Sequence, residues 1–263
     1  MLRGKDPAQP KYQFFEFSTF DNPYLTQSEL REEIKDLPER VVQQEIYAQF
    51  LEDTGVVFRG VSAIANATPL PPLAGHYYTM GVDVAKVEDF TVISIFDRNT
   101  NAQVFQDRFN KLDWPYQKEK IKQYSSYYNR AVVYLDATGV GDPIADDLLR
   151  DGVPVEPVKF SNESKKQLIE RLSVYIEQKR IRLLNIPESI QELNSFTYDV
   201  SSTGKIRYEA PKGFHDDIVM ATALAVWSLQ PLTVPPKPVE KSPIQIHYAQ
   251  SVRGFNENDI EEV

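Results

Sequence analysis

Four acidic residues stand where a carboxylate is costly: Asp83 closes the strand-like run HYYTMGVD, Asp136 closes AVVYLD, and Asp216 and Asp217 open the helix-like run IVMATALAVW. An ionised group at the end of a buried apolar strand loses its hydration unless something cationic meets it. One such Asp is readily explained as a turn or helix cap. Acids on three segments that a single sheet could gather point instead to a shared ion. A pair of divalent cations roughly 3.5 to 4 Å apart would relieve the repulsion and is suited to phosphodiester hydrolysis. Adjacent helical positions point about 100° apart, so one of Asp216 and Asp217 is expected to ligate directly, and the sequence leaves open which. Asp89, beside Glu88 in the link after the Asp83 run, can fold back over the same edge and complete a second ion site, or serve as a solvated turn acid. His215 could orient a phosphate or simply neighbour a helix cap.

Composition narrows the chemistry. The chain has 263 residues and no cysteine, so thiolate zinc sites, disulfides and cysteine nucleophiles are excluded, and its three widely spaced histidines (His76, His215, His247) lack metal-ligand spacing and argue against a histidine-rich metal site. Any ion would be oxygen-ligated, hence Mg or Mn, with two ions expected. No Walker A sequence and no GxSxG elbow occur, which removes a P-loop nucleotide site and an elbow-type serine hydrolase. The turn TGVGDP after Asp136 lacks a nucleotide-binding glycine spacing; Asp142-Pro143 reads as N-cap and first position of a helix. No apolar run is long enough for a membrane span.

A net charge of −9 argues against a uniformly basic surface. Distribution overrides the total between Lys159 and Arg207, where basic residues outnumber acidic ones. Lys159, Lys165 and Lys166 flank the SNES turn, and Lys205 and Arg207 decorate a candidate hairpin; these are the candidate contacts to double-stranded DNA, made through phosphates without sequence preference.

The elements that must position these groups follow from hydrophobic period. Residues 76–85, 90–98 and 102–109 read as strands separated by short polar breaks, an antiparallel meander. A helix over 114–128, the strand AVVYLDA, a helix from about Asp142 to Arg150, the strand PVEPVKF and a helix from near Ser164 to Gln178 alternate in the manner of parallel pairing. A short strand IRLL, a helix around 187–196, a hairpin in TYDVSSTGKIRYEA and a helix over 215–229 complete the pattern. The expected fold is therefore α/β: a mixed sheet, antiparallel in its first three strands and then parallel, flanked by helices, with an added hairpin. Parallel neighbours ending in Asp83 and Asp136 would put both acids at one sheet edge, where ligands bind in such architectures.

Before this core, YQFFEFS reads as a strand, Thr26 with Glu29 as a capping box, and Pro38 as the first turn of a second helix. Val42, Ile46, Tyr47, Phe50 and Leu51 form an apolar stripe on that helix without an evident partner. Residues 54–75 read as a connector, and the proline-rich, acidic stretch 231–263 as a flexible tail.

These motifs together resemble the C-terminal nuclease region of tailed-phage large terminases, a ribonuclease H-like fold. The resemblance rests on GVDVAKVEDFTVISIFD, on VVYLDATGVGDPIADDL with downstream VKFSNESKKQLIERL, and on FHDDIVMATALAVW. FSTFDNPYLTQSEL and QQEIYAQFLED are similar to the stretch joining that family's packaging ATPase to its nuclease. The resemblance implies domains at 1–53 (linker, the end of an ATPase region absent here), 54–75 (connector), 76–230 (nuclease) and 231–263 (tail). It implies metal ligation and catalysis by Asp83, Asp136 and Asp216 or Asp217, with Asp89 auxiliary, and metal-dependent cutting of concatemeric viral DNA in the cytoplasm of the infected host. The implied partners are the ATPase domain, the portal protein and the small terminase. A resolvase or transposase-type nuclease on the same fold, or a non-catalytic docking module for a portal or capsid, would be the alternatives. The stripe of 39–51 would lack its partner and be loosely ordered.

Overall fold

A computed structural model of the chain describes residues 11, 15–49, 55–85, 89–138, 141–200, 206–211 and 215–229. Its centre is a five-stranded sheet of β1 (Tyr78–Asp83), β2 (Thr91–Asp97), β3 (Ala102–Phe109), β4 (Val132–Asp136) and β5 (Val155–Val158), in the order β3-β2-β1-β4-β5. β1 pairs antiparallel with β2 and β2 with β3, whereas β1–β4 and β4–β5 are parallel. The expected mixed sheet is the one observed. β2 is buried along its whole length, as a central strand covered on both faces requires.

The helices are α1 (Gln27–Glu33), α2 (Glu39–Val41), α3 (Val61–Ile64), α4 (Trp114–Tyr127), α5 (Gly141–Arg150), α6 (Asn162–Glu177), α7 (Pro187–Ser195) and α8 (Asp217–Trp227). Alternation along the strands sorts their side chains. Met80, Val82, Val133 and Leu135 pack with Ile121 of α4 and Ile144 and Leu148 of α5 on one face. The other face carries α8, which packs on β1 and β2 and is enclosed by α6 and α7, so its apolar residues Ile218 to Val226 are buried around the whole circumference. Asp83 and Asp136, one residue beyond Val82 and Leu135, therefore face α8.

Local signals held at several caps. Thr26 and Glu29 form the reciprocal capping box of α1, and Ser161 with Ser164 caps α6 two residues before the expected start. The hairpin is present as β6 (Thr197–Val200) and β7 (Ile206–Glu209), paired antiparallel. Its turn lies outside the described residues.

Some expectations need correction. IRLL makes no strand; it contributes only single bridges, Ala102 to Arg182 and Ala67 to Leu184, because it runs past the edge of β3 instead of extending the sheet. Phe15 to Ser18, the described part of YQFFEFS, is not a strand. Asp142 lies inside α5, which begins at Gly141. The stripe after Pro38 is not left without a partner: Val42 is buried, and the neighbouring Arg40 is buried against the hairpin. Its Phe50 and Leu51 lie outside the described residues. The stretch read as a connector contributes Val57, Phe58, Val61 and Ile64 to the same buried cluster as α6 and α8. Residues 231–263 fall outside the description.

Candidate metal centre

Asp83 and Asp136 reach one edge because their strands run parallel in register, with Val82 opposite Leu135. Two glycines make the closing of that edge possible. A Cβ on Gly81 would overlap the carbonyl oxygen of Ala221 and the backbone nitrogen of Ala225, so α8 lies against bare β1 backbone and delivers its first turn beside Asp83. A Cβ on Gly141 would overlap the carbonyl of Asp136, so α5 starts tight against the strand end.

The four acids differ in surroundings. Asp83 accepts no hydrogen bond and makes no ion pair among the described residues. Burial pushes its carboxyl well above the usual range, with Asp217, then Asp136, then Asp216 adding repulsion and Lys165 opposing it. Asp217 is buried and accepts from the Phe90 amide at 3.3 Å. Burial also raises its carboxyl, against that hydrogen bond. Asp216 is the N-cap residue of α8 and turns to Lys165, whose Nζ lies 3.2 Å away. Asp136 accepts from the Thr138 amide at 2.7 Å, an Asx-type turn that fixes its side chain.

Asp89 is exposed, and His215 sits between it and Asp217, with Nδ1 at 3.4 Å from Asp89 and 3.8 Å from Asp217. Glu88 lies outside the described residues. Of the basic group, Lys165 is part of the centre, while Lys159 is an exposed partner of Asp142 at 2.8 Å. Lys166 is on α6 and Arg207 on β7; Lys205 lies outside the described residues.

Sequence reasoning missed Glu192. It is a buried residue of α7 whose Oε1 accepts from the amides of Ile218 and Val219 at 2.7 and 3.0 Å, and so holds the first turn of α8 in place. Burial, partly offset by these two bonds, pushes its carboxyl up to about 7. The motif ESIQELNS carries no signal for this, since the contact is tertiary.

Among the described residues, no three acidic or histidine side chains are grouped so that they could hold an ion. The donor set nevertheless fits a hard divalent cation: all-oxygen ligands, one of them a half-buried carboxylate without a partner among the described residues, whose pKa the neighbouring Asp217, Asp136 and Asp216 raise further.

Residues 80–229 match the terminase RNaseH-like domain family. The chain belongs to that family. The large terminase subunit of Thermus virus P23-45 is 30% identical over 84% of this chain, and that of Thermus phage G20c is 29% identical over the same share. This chain spans about half the length of those relatives, 48% in each case. Among solved structures, the large terminase nuclease of phage G20c with bound magnesium superimposes with a TM-score of 0.64 at 30% identity, covering 68% of this chain and 100% of that one. The cobalt-bound form gives 0.64 at 29% identity, over 68% and 100%. The large terminase of bacteriophage D6E shares the fold with a TM-score of 0.63 at 13% identity, over 84% of this chain and 56% of that one. No helix among the described residues is long and apolar enough to cross a membrane.

Proposed function

We propose that this terminase-family chain is a metal-dependent DNA endonuclease that cuts concatemeric viral DNA at the start and end of genome packaging, with little sequence preference. The observation that carries it is the half-buried Asp83 carboxylate, without a hydrogen-bond or ion-pair partner among the described residues, beside Asp136 and Asp217, in a chain whose relatives include a large terminase nuclease solved with bound magnesium.

Asp83, Asp136 and Asp217 would be the direct ligands of two Mg or Mn ions, and Asp89 an outer ligand of the second. Asp217 is preferred to Asp216 because it is buried and acts more strongly on Asp83, whereas Asp216 is engaged by Lys165. Divalent cations, if held by these carboxylates, would supply positive charge to the attacking and leaving oxygens of a phosphodiester. The protein's own part is to hold the carboxylates in place through Thr138, Phe90 and Glu192. Lys165 sets charge beside Asp216, and Lys159, Lys166, Lys205 and Arg207 would meet DNA phosphates. Residues 76–230 would form the nuclease domain, with 1–53 the linker from a packaging ATPase and 54–75 the connection. In the infected host cytoplasm the portal and small terminase would be its partners. Supercoiled plasmid should be nicked and linearised with Mg or Mn, and EDTA or Asp83→Asn should stop it; unimpaired cutting in either case would reject the reading.

A further inference from the structure

Arg108 lies outside every motif considered above. Register places it in the same row as the acidic centre: Asp83 is opposite Val92 on β2, and Val92 is opposite Arg108 on β3. Directly opposed residues project to the same side of a sheet. Arg108 therefore shares the α8 face with Asp83, two strand spacings away, or about 10 Å. The neighbours of Arg108 along β3 agree, since Asp107 bonds to Lys120 and Tyr124 of α4 on the opposite face.

Its guanidinium stacks on Phe90, with Cζ 3.7 Å from the ring centroid. Phe90 in turn meets His215 edge-on and donates its amide to Asp217. Stacking occupies the flat face of a guanidinium and leaves its in-plane N–H groups free to engage a planar or tetrahedral oxyanion. Arg108 Nε is shielded from solvent and has no hydrogen-bond partner among the described residues. Glu192 is near enough to feel its charge, but among the described residues the two form no ion pair, and Glu192 Oε1 is taken by the amides of α8. The acidic centre is thus flanked by Lys165 on the side of α6 and, on the side of β3, by a stacked arginine that forms no ion pair among the described residues.

We propose that Arg108 is a phosphate-binding residue that grips the DNA strand on the β3 flank of the acidic centre. At a single-strand rise of about 3.4 Å per nucleotide, it would contact a phosphate within about three nucleotides of the bond cut. The inference rests on the reading of the centre as a DNA nuclease, and it assigns the path of the strand: across the sheet edge, from β3 over β1 and β4 to α6.

The test is binding of the full chain to a short mixed-sequence DNA duplex as a function of KCl, in an Asp83→Asn background that does not cut. Arg108→Gln, which keeps a planar polar group and loses the charge, should weaken binding about tenfold at low salt and flatten the slope of log K against log salt by about one. Arg108→Lys should keep the slope and recover part of the affinity. If Arg108→Gln is folded by circular dichroism and leaves both affinity and slope unchanged, or lowers affinity with the slope intact, Arg108 only packs and the inference is overturned. A chain that does not bind DNA at all overturns it too. Failure of the wild type to cut plasmid, with the Arg108 effect on binding preserved, would reject the nuclease reading and leave the phosphate contact standing.

Discussion

Asp83 and Asp136 extend one residue beyond the parallel pair Val82–Leu135, so two carboxylates end neighbouring strands on the face that carries α8. Their proximity costs folding energy when both are charged. Asp83 has a folded pKa above its unfolded one, so its contribution to stability is fully present below the unfolded pKa and is lost as pH rises through the folded pKa. A bound divalent cation would reverse that loss. At 100 times its Kd, Mg should therefore stabilise the fold by about 2.7 kcal/mol at pH 8, and it should raise the melting temperature less at pH 5. Melting curves in Mg and in EDTA at the two pH values measure this; equal curves at pH 8 would contradict it.

Gly81 is required by the contact of α8 with β1. Gly81→Ala must push the helix from the strand, because the added methyl meets backbone and not a movable side chain. Overpacking of this kind costs about 1–3 kcal/mol or more. Urea denaturation should show that loss, and Mg affinity should fall with it, since Asp217 moves with the helix. A variant of native stability and native Mg affinity would show that the close approach is dispensable.

Glu192 gives a pH dependence of its own. Its carboxyl is pushed up to about 7 in the fold from an ordinary value of 4.5. The stability it contributes is complete below about 4.5 and declines as pH rises to about 7, by up to about 3 kcal/mol. Glu192→Gln keeps an oxygen acceptor for the amides of Ile218 and Val219 and cannot ionise. Its urea stability should fall less than that of the wild type between pH 4.5 and 8; an identical decline would contradict the assignment.

Arg40 ties the segment before the matched domain to the hairpin. Its Nη2 donates to the Tyr208 hydroxyl at 3.0 Å, its guanidinium lies 4.3 Å over the Tyr198 ring, and Tyr208 donates to Glu170 at 2.9 Å. Arg40→Ala should cost about 2 kcal/mol, the scale of a charged hydrogen bond lost from a buried site. A double-mutant cycle with Tyr208→Phe should return a coupling of about 1 kcal/mol, and strict additivity would mean that the two do not act together.

The strands that end in Asp83 and Asp136 were legible because an apolar run closed by an acid is a one-dimensional pattern, and so were the hairpin and the Thr26 capping box. The different surroundings of Asp216 and Asp217 were not legible, since they depend on Lys165 reaching across from α6 and on the Phe90 amide. Arg108 and Glu192 were invisible for the same reason: each acts through neighbours on other elements, and DRF and QELN look like ordinary solvated sequence. IRLL failed as a strand because its apolar residues fill the core beside α3, where residues 57–64 are the partner that local pattern could not foresee.

The central claim, that these aspartates cut DNA with divalent metal, is tested most directly by the ratio of plasmid cleavage rates for Asp83→Asn and wild type in Mg and in Mn, measured with duplex binding. The account predicts a loss of at least about a hundredfold in cleavage, the scale of removing an electrostatic stabiliser of the reaction, with the fold and DNA affinity retained. An Asp83→Asn chain that cuts plasmid at the wild-type rate, or wild-type cutting that survives EDTA, would contradict it.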